Sequence, residues 1–295
     1  MLGVVNLDKP VGPTSHDMVG LLRRLTATRR IGHAGTLDPL ASGVLPILVG
    51  AATRFSEELT GGRKRYDAIV RLGARSATDD AEGPIQSVDA ARPDRPSIEA
   101  ALADFVGIIE QRPPAFSARK QGGRTAHRAA RAGSPIDLPP RRVAIDAIDV
   151  LELGDSADGL DVRIDLRCGA GTYVRSIARD LGDRLGCGGY LAALRRTEAA
   201  GLRVEDAITP DRLERLAEAG RLADAVLSVG ELLPLPHVAL DPDAAWRFTH
   251  GSVTATDHGE DGRVAVFADG GLIGVGRVDA GWLHPDKVVG AEPAG

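Results

Sequence analysis

Cysteine is nearly absent: Cys168 and Cys187 are the two in 295 residues. That excludes a disulfide scaffold, and their spacing offers no zinc site. No apolar stretch reaches the ~18 residues that a membrane helix needs, and the N-terminus lacks a charged segment followed by a greasy one. Neither a membrane span nor a secretory signal is expected, and the cytoplasm is the expected compartment. Lysine is scarce, 4 residues against 32 arginines, a ratio that a GC-rich genome produces as readily as selection does. Also missing are a Walker loop, a Gly-x-Gly-x-x-Gly after a strand, a His-Glu-x-x-His pair and a Gly-x-Ser-x-Gly elbow. An enzyme built on this chain is expected to work with neither metal nor nucleotide cofactor.

What is present is an ordinary globular balance, 43% hydrophobic and 26% charged. A chain this long hides roughly 75% of its extended surface on folding, so core volume is no constraint. The formal charge of −5 argues against a nucleic-acid partner until it is divided along the chain. Residues 112–142 carry Arg112, Arg119, Lys120, Arg124, Arg128, Arg131, Arg141 and Arg142 against Asp137, a net +7, whereas residues from 229 onward carry −6. Screening confines each field to about 10 Å at 0.1 M salt, so a basic stretch can grip a phosphate backbone within an acidic protein.

Gly3–Leu7 reads as a strand that ends at a Pro/Gly turn. Ser15 can cap a helix carrying Met18, Leu22 and Leu25. Thr28 to Gly50 has no periodicity and reads as a loop. Alternation marks strands at 66–72 and, most clearly, at Leu160–Cys168. Ser97 can cap a helix carrying Ile98, Ala101, Leu102, Phe105 and Val106. Thr172 can cap another, carrying Val174, Ile177, Ala178, Leu181 and Leu185. Thr209-Pro210 opens a further helix, and Asp269-Gly270 is a hairpin turn. Strands and helices without a βαβ rhythm point to an α+β architecture, with a small β-rich domain at about 230–292 behind a larger one at 1–229.

Polar residues crowd into Gly32-His33-Ala34-Gly35-Thr36-Leu37-Asp38-Pro39-Leu40-Ala41-Ser42-Gly43. Glycines let a backbone approach a ligand, and Pro39 biases Asp38 away from helix. By itself the segment reads first as an Asp-Pro turn, and Tyr66 as a half-buried strand tyrosine.

Gly32 through Leu45 resembles the catalytic loop of the TruB family, the tRNA pseudouridine-55 synthases. Leu7-Asp8-Lys9-Pro10-x-Gly12-x-x-Ser15 resembles the family's lysine–proline turn, and Lys64-Arg65-Tyr66 with Arg71-Leu72-Gly73 the strand of its active-site tyrosine. Asp80-Ala81-Glu82-Gly83 resembles the acidic turn after it. Gly171-Thr172-Tyr173-Val174-Arg175 and Leu194-Arg195-Arg196 resemble two later motifs, all in order.

The resemblance implies a mixed, mainly antiparallel sheet of pseudouridine-synthase type flanked by helices, with a PUA-like C-terminal domain. It implies cofactor-free isomerisation of one T-loop uridine of tRNA, with the base extruded into a pocket. On that resemblance Asp38 is the nucleophile, Tyr66 stacks on the uracil and Arg175 pairs with Asp38. Tyr173 and Leu194 line the pocket, and His33, Lys9 and Lys120 meet the RNA. A cation in a helix's first turn is electrostatically uncomfortable, which favours an anion beside Arg175. Ser117, Lys120, Gly123 and Arg131 match a segment that grips the T-arm, with His127 and Phe116 departing from its usual tyrosines. The C-terminal part is shorter and more acidic than is usual for RNA-binding PUA domains. A guide-directed relative and an RNA chaperone without catalysis are the other readings, and nothing demands more than a monomer. Replacing Lys120 or Arg124 is expected to weaken RNA binding and to reduce the slope of log K against log salt by about one; a filter-binding series in salt measures it.

Overall fold

The computed structural model describes residues 2–117, 120–121 and 124–125 (backbone alone for these four), 129, 134, 136 and 138–289. Gly123, His127 and Arg131, and the side chains of Lys120 and Arg124, lie outside the described residues. In chain order the main elements are β1 (Gly3–Lys9), α1 (Ser15–Thr26), β2 (Ile31–His33), β3 (Ala41–Val49) and β4 (Lys64–Leu72). Then come α2 (Arg95–Ala103), β5 (Gly107–Gln111), β6 (Arg141–Ser156), β7 (Gly159–Cys168), α3 (Val174–Arg184) and β8 (Gly189–Ala199). The strands form one sheet in the order β1-β3-β8-β4-β7-β6-β5, with β2 joined to β3. Every pair along that order is antiparallel except β3 with β8.

Alternation along β4 and β7 sets the layers. Tyr66, Ala68, Val70 and Leu72 join Leu160, Val162, Ile164, Leu166 and Cys168 beneath α2 and α3, whose Ile98, Ala101, Leu102, Ile177, Ala178 and Leu181 close the core. The opposite face is a checkerboard of ions. Arg65 meets Asp165 at 2.7 Å, Arg71 meets Asp161 at 2.6 Å, Arg163 meets Asp67 at 2.5 Å and Arg167 meets Asp149 at 3.1 Å. An ion pair of this kind that is open to solvent contributes about 1 kcal/mol or less.

The structure corrects four expectations. Residues 28–50 are not a loop throughout, because Ile31–His33 and Ala41–Val49 are strands. Ala41–Val49 is buried on both faces, so it has no two-residue period to read. Gly43 is required there: at φ +99 its missing Cβ would stand 2.2 Å from the Arg196 carbonyl oxygen of β8. The cap of α1 is Thr14, whose side chain forms a capping box with Asp17, which frees Ser15 for another task. The cap of α2 is Asp94, which accepts from the Ser97 amide, and that helix stops before Phe105 and Val106. Extended Tyr173, not Thr172, precedes α3, and the Thr172 hydroxyl donates to Gly169 instead.

Thr209 does cap the helix Pro210–Glu218. Asp269 and Gly270 form the expected hairpin turn, both at positive φ, between strands Gly262–Ala268 and Gly271–Asp279. With His237–Ala239, Thr254–Ala255 and Trp282–Val288 these make a separate five-stranded sheet. Its Ala265, Leu272 and Val275 share one apolar cluster with Val4, Leu48, Phe55 and Leu59 of the larger part. Glu58, almost buried, receives Lys287 at 2.8 Å and Arg263 at 2.7 Å across the same boundary. Among the described residues no helix is long and apolar enough to cross a membrane. Because Phe55 is fully buried in that common cluster, Phe55→Ala should cost about 3–5 kcal/mol in urea unfolding, with both sheets melting in one transition.

Candidate active site

The loop that carries Asp38 is tied down on several sides. The Ser15 hydroxyl donates to the Leu37 carbonyl at 2.9 Å and accepts the Leu37 amide at 2.8 Å. The Gly12 amide donates to Pro39 at 2.8 Å, and the Ala41 amide to Asp38 at 3.0 Å. Lys9, with no exposed surface, lies at the base of the preceding turn and donates to the carbonyls of Pro10 at 2.8 Å and Pro13 at 2.7 Å. Its ammonium thus props the turn from beneath, which is where the structure places a residue expected at the RNA.

Arg175 stands in the first turn of α3 with 6% of its side chain exposed, and its Nη2 lies 2.8 Å from Oδ2 of Asp38. Nη1 lies 3.4 Å from Oδ2 of buried Asp80. The same guanidinium donates to the carbonyls of Phe116 at 2.9 Å and Thr78 at 3.3 Å. Two carboxylates offset the unfavourable helix dipole. The Asp38 carboxylate is itself 39% exposed, so one oxygen is gripped while the group remains open to a ligand.

Asp38 forms part of the wall between two cavities. The inner one, about 240 Å³, is bounded by Asp38, Tyr66, Tyr173, Leu194, Lys64 and Arg196 among others, with room for a flat heterocycle. The outer one, about 470 Å³, is bounded by His16, His33, Glu82 and Phe116, and both include Asp38, Ser117 and Arg175.

Register explains how the inner wall is assembled. Tyr66 faces Arg196 across β4 and β8, and Leu194 is flanked by Ala68 and by Ala41 of the Asp38 loop. Arg196 reaches the Val44 carbonyl at 2.7 Å and the Gly35 carbonyl at 3.0 Å. Burial pushes the Tyr66 phenol upward, so it stays protonated. Tyr173 is fixed by Gln111, which accepts its amide at 2.8 Å and donates to its carbonyl at 3.1 Å. Burial, then Arg196, hold His33 below its usual value and neutral. Glu82 is raised by burial and by the nearby charges of Asp80 and Asp38.

Asp38, Tyr66, Arg175, Tyr173 and Leu194 therefore meet at the inner cavity, and His33 stands at the outer one. Asp80, Gln111, Ser15 and Arg196 complete the arrangement; the sequence had not named them as site residues, although Asp80, Ser15 and Arg196 lie in the motifs that carry the resemblance. A signal existed for Asp80 in its acidic turn, and none for Gln111. Among the described residues no group of three or more His, Cys, Asp or Glu is placed to hold a metal ion.

Residues 23–174 match the TruB family pseudouridylate synthase N-terminal domain. Residues 175–234 match the tRNA pseudouridylate synthase B C-terminal domain, and 236–289 match the C-terminal domain of pseudouridine synthase II TruB. The chain belongs to the TruB family. A tRNA pseudouridine synthase B from Dechloromonas aromatica is 42% identical over 97% of this chain and 95% of its own length. Its namesake from Ralstonia pickettii is 39% identical over 97% of this chain and 94% of its own. Among solved structures, a chain of a Cbf5-Nop10-Gar1 complex superposes with TM-score 0.74 at 28% identity, covering 97% of this chain and 84% of that one. A chain of an archaeal box H/ACA sRNP Nop10-Cbf5 complex gives 0.71 at 26%, covering 97% and 85%.

Two lysines of this TruB-family site carry a measurable signature. Lys64, nearly buried, donates to Thr60 at 2.8 Å and Gly62 at 2.9 Å. Burial, then Arg196, lower it from 10.5 to about 8, and burial lowers Lys9 to about 8 as well. Between about 8 and 10.5 the unfolded chain binds more protons at these positions, so both make stability rise with pH in that window. Lys64→Met should flatten the rise of unfolding free energy by up to ~1.4 kcal/mol per pH unit relative to the unaltered protein, read by urea titrations across that range.

Proposed function

We propose that this protein isomerises uridine 55 in the T-loop of tRNA to pseudouridine, with Asp38 as the nucleophile. One observation carries the reading: a half-open carboxylate, clamped to a buried guanidinium at 2.8 Å, stands between a base-sized cavity and an outer chamber. A uridine inside a folded loop reaches that carboxylate after extrusion from its stack. The near-complete alignment with relatives named tRNA pseudouridine synthase B favours tRNA over a guide-directed substrate.

The overall change breaks the N1–C1′ bond and makes a C5–C1′ bond, while one proton leaves C5 and one arrives at N1. Product and substrate are isomers, so no external reagent enters the balance. An opposite charge within ~4–6 Å favours the ionised form of Asp38, which is the nucleophilic one. Tyr66, protonated and held across from Arg196, offers a flat face and a hydroxyl to the base. Tyr173 and Leu194 close the cavity around it, and His33 meets the RNA at the outer chamber.

Residues 1–229 form the catalytic domain in this reading, residues 112–142 grip the T-arm with Lys120, and residues 230–292 are a PUA-like module. The protein acts as a monomer in the cytoplasm.

Incubation with unmodified tRNA transcript, without metal or nucleotide, should place pseudouridine at position 55 and nowhere else. Asp38→Asn should abolish isomerisation while RNA affinity stays within about tenfold, roughly 1.4 kcal/mol. Pseudouridine formed by that variant would remove Asp38 from the role.

A further inference from the structure

Ser117 lines both the inner cavity and the outer chamber, in the wall that Asp38 and Arg175 also share. It is 3% exposed, yet its Oγ has no hydrogen-bond partner among the described residues. Leaving a buried hydroxyl unpaired costs ~1–3 kcal/mol, so such a group calls for a reason. The other residues common to both cavities are otherwise placed. Asp38 is bound to Arg175, Arg175 to two carboxylates and two carbonyls, and the peptide groups of Leu37 to Ser15. Thr36 is exposed to solvent. Ser117 alone of these is both buried and unengaged.

A nucleotide whose base fills the inner cavity and whose phosphates lie in the outer chamber carries its sugar past the residues that both cavities share. The glycosidic bond that the isomerisation breaks lies there too. On a ribose, the polar group adjacent to that bond is the 2′-hydroxyl, which both donates and accepts. A serine hydroxyl does the same, so the two pair in either sense. We propose that Ser117 hydrogen-bonds the 2′-hydroxyl of the target nucleotide and so selects ribose over deoxyribose at that position. The assignment rests on the tRNA reading above.

The test uses two T-arm stem-loops that carry either pseudouridine or 2′-deoxypseudouridine at the target, so that no reaction intervenes. Each is titrated against the full-length protein and against Ser117→Ala, with fluorescence anisotropy as the readout. The unaltered protein should prefer the ribose stem-loop by about tenfold, the size of one hydrogen bond set against a partner left unpaired. Ser117→Ala should bind both equally, with its affinity for the deoxy stem-loop within about twofold of the parent's, because removing an unpaired hydroxyl costs nothing there.

A ribose preference that survives in Ser117→Ala, or an equal loss on both stem-loops, or no preference in the parent, would each overturn the assignment while the tRNA reading stands. A parent protein that neither binds the ribose stem-loop nor converts its uridine form would remove the tRNA reading, and this assignment with it.

Discussion

Arg175 places a full positive charge where a helix already presents its positive end. Few arrangements tolerate that, and the site is organised around making it tolerable. Three segments far apart in the chain converge on the guanidinium that the first turn of α3 presents: the Asp38 loop, the turn carrying Thr78 and Asp80, and the Phe116 backbone. Breaking a buried ion pair by deleting one partner is costly, because the survivor stays buried without compensation. Asp80, more enclosed than Asp38, therefore anchors the cation, and the more open Asp38 keeps an oxygen accessible to a ligand.

A second constraint lies at the one parallel junction of the sheet. β3 and β8 run side by side from Ala41 and Leu194, and the close pass at Gly43 lets Arg196 stretch across to Val44 and Gly35. The strand that delivers Leu194 and Arg196 to the cavity is thereby locked to the end of the Asp38 loop. The cavity wall and the Asp38 loop are tied into one piece, which suits a site that works by positioning.

Legibility in the sequence followed exposure. Leu160–Cys168 and residues 66–72 announced themselves because one face meets water and the other does not. Ala41–Val49, enclosed on both sides, offered no contrast to read. Site residues of distinctive chemistry, such as Asp38, Tyr66 and Arg175, stood out through their motifs. Gln111 did not, because its whole role is to bracket the peptide of Tyr173, a partner 62 residues away that no local pattern discloses. Capping shows the same limit: Thr14 and Ser15 are both competent, and Leu37, distant in sequence, decides which of them is free.

The ionic checkerboard on the back of the large sheet bears on how a polyanion can approach. Its guanidiniums and carboxylates alternate at contact distance, so their fields cancel within a few ångströms of the surface. At these pairs a phosphate chain meets neither a net attraction nor a net repulsion.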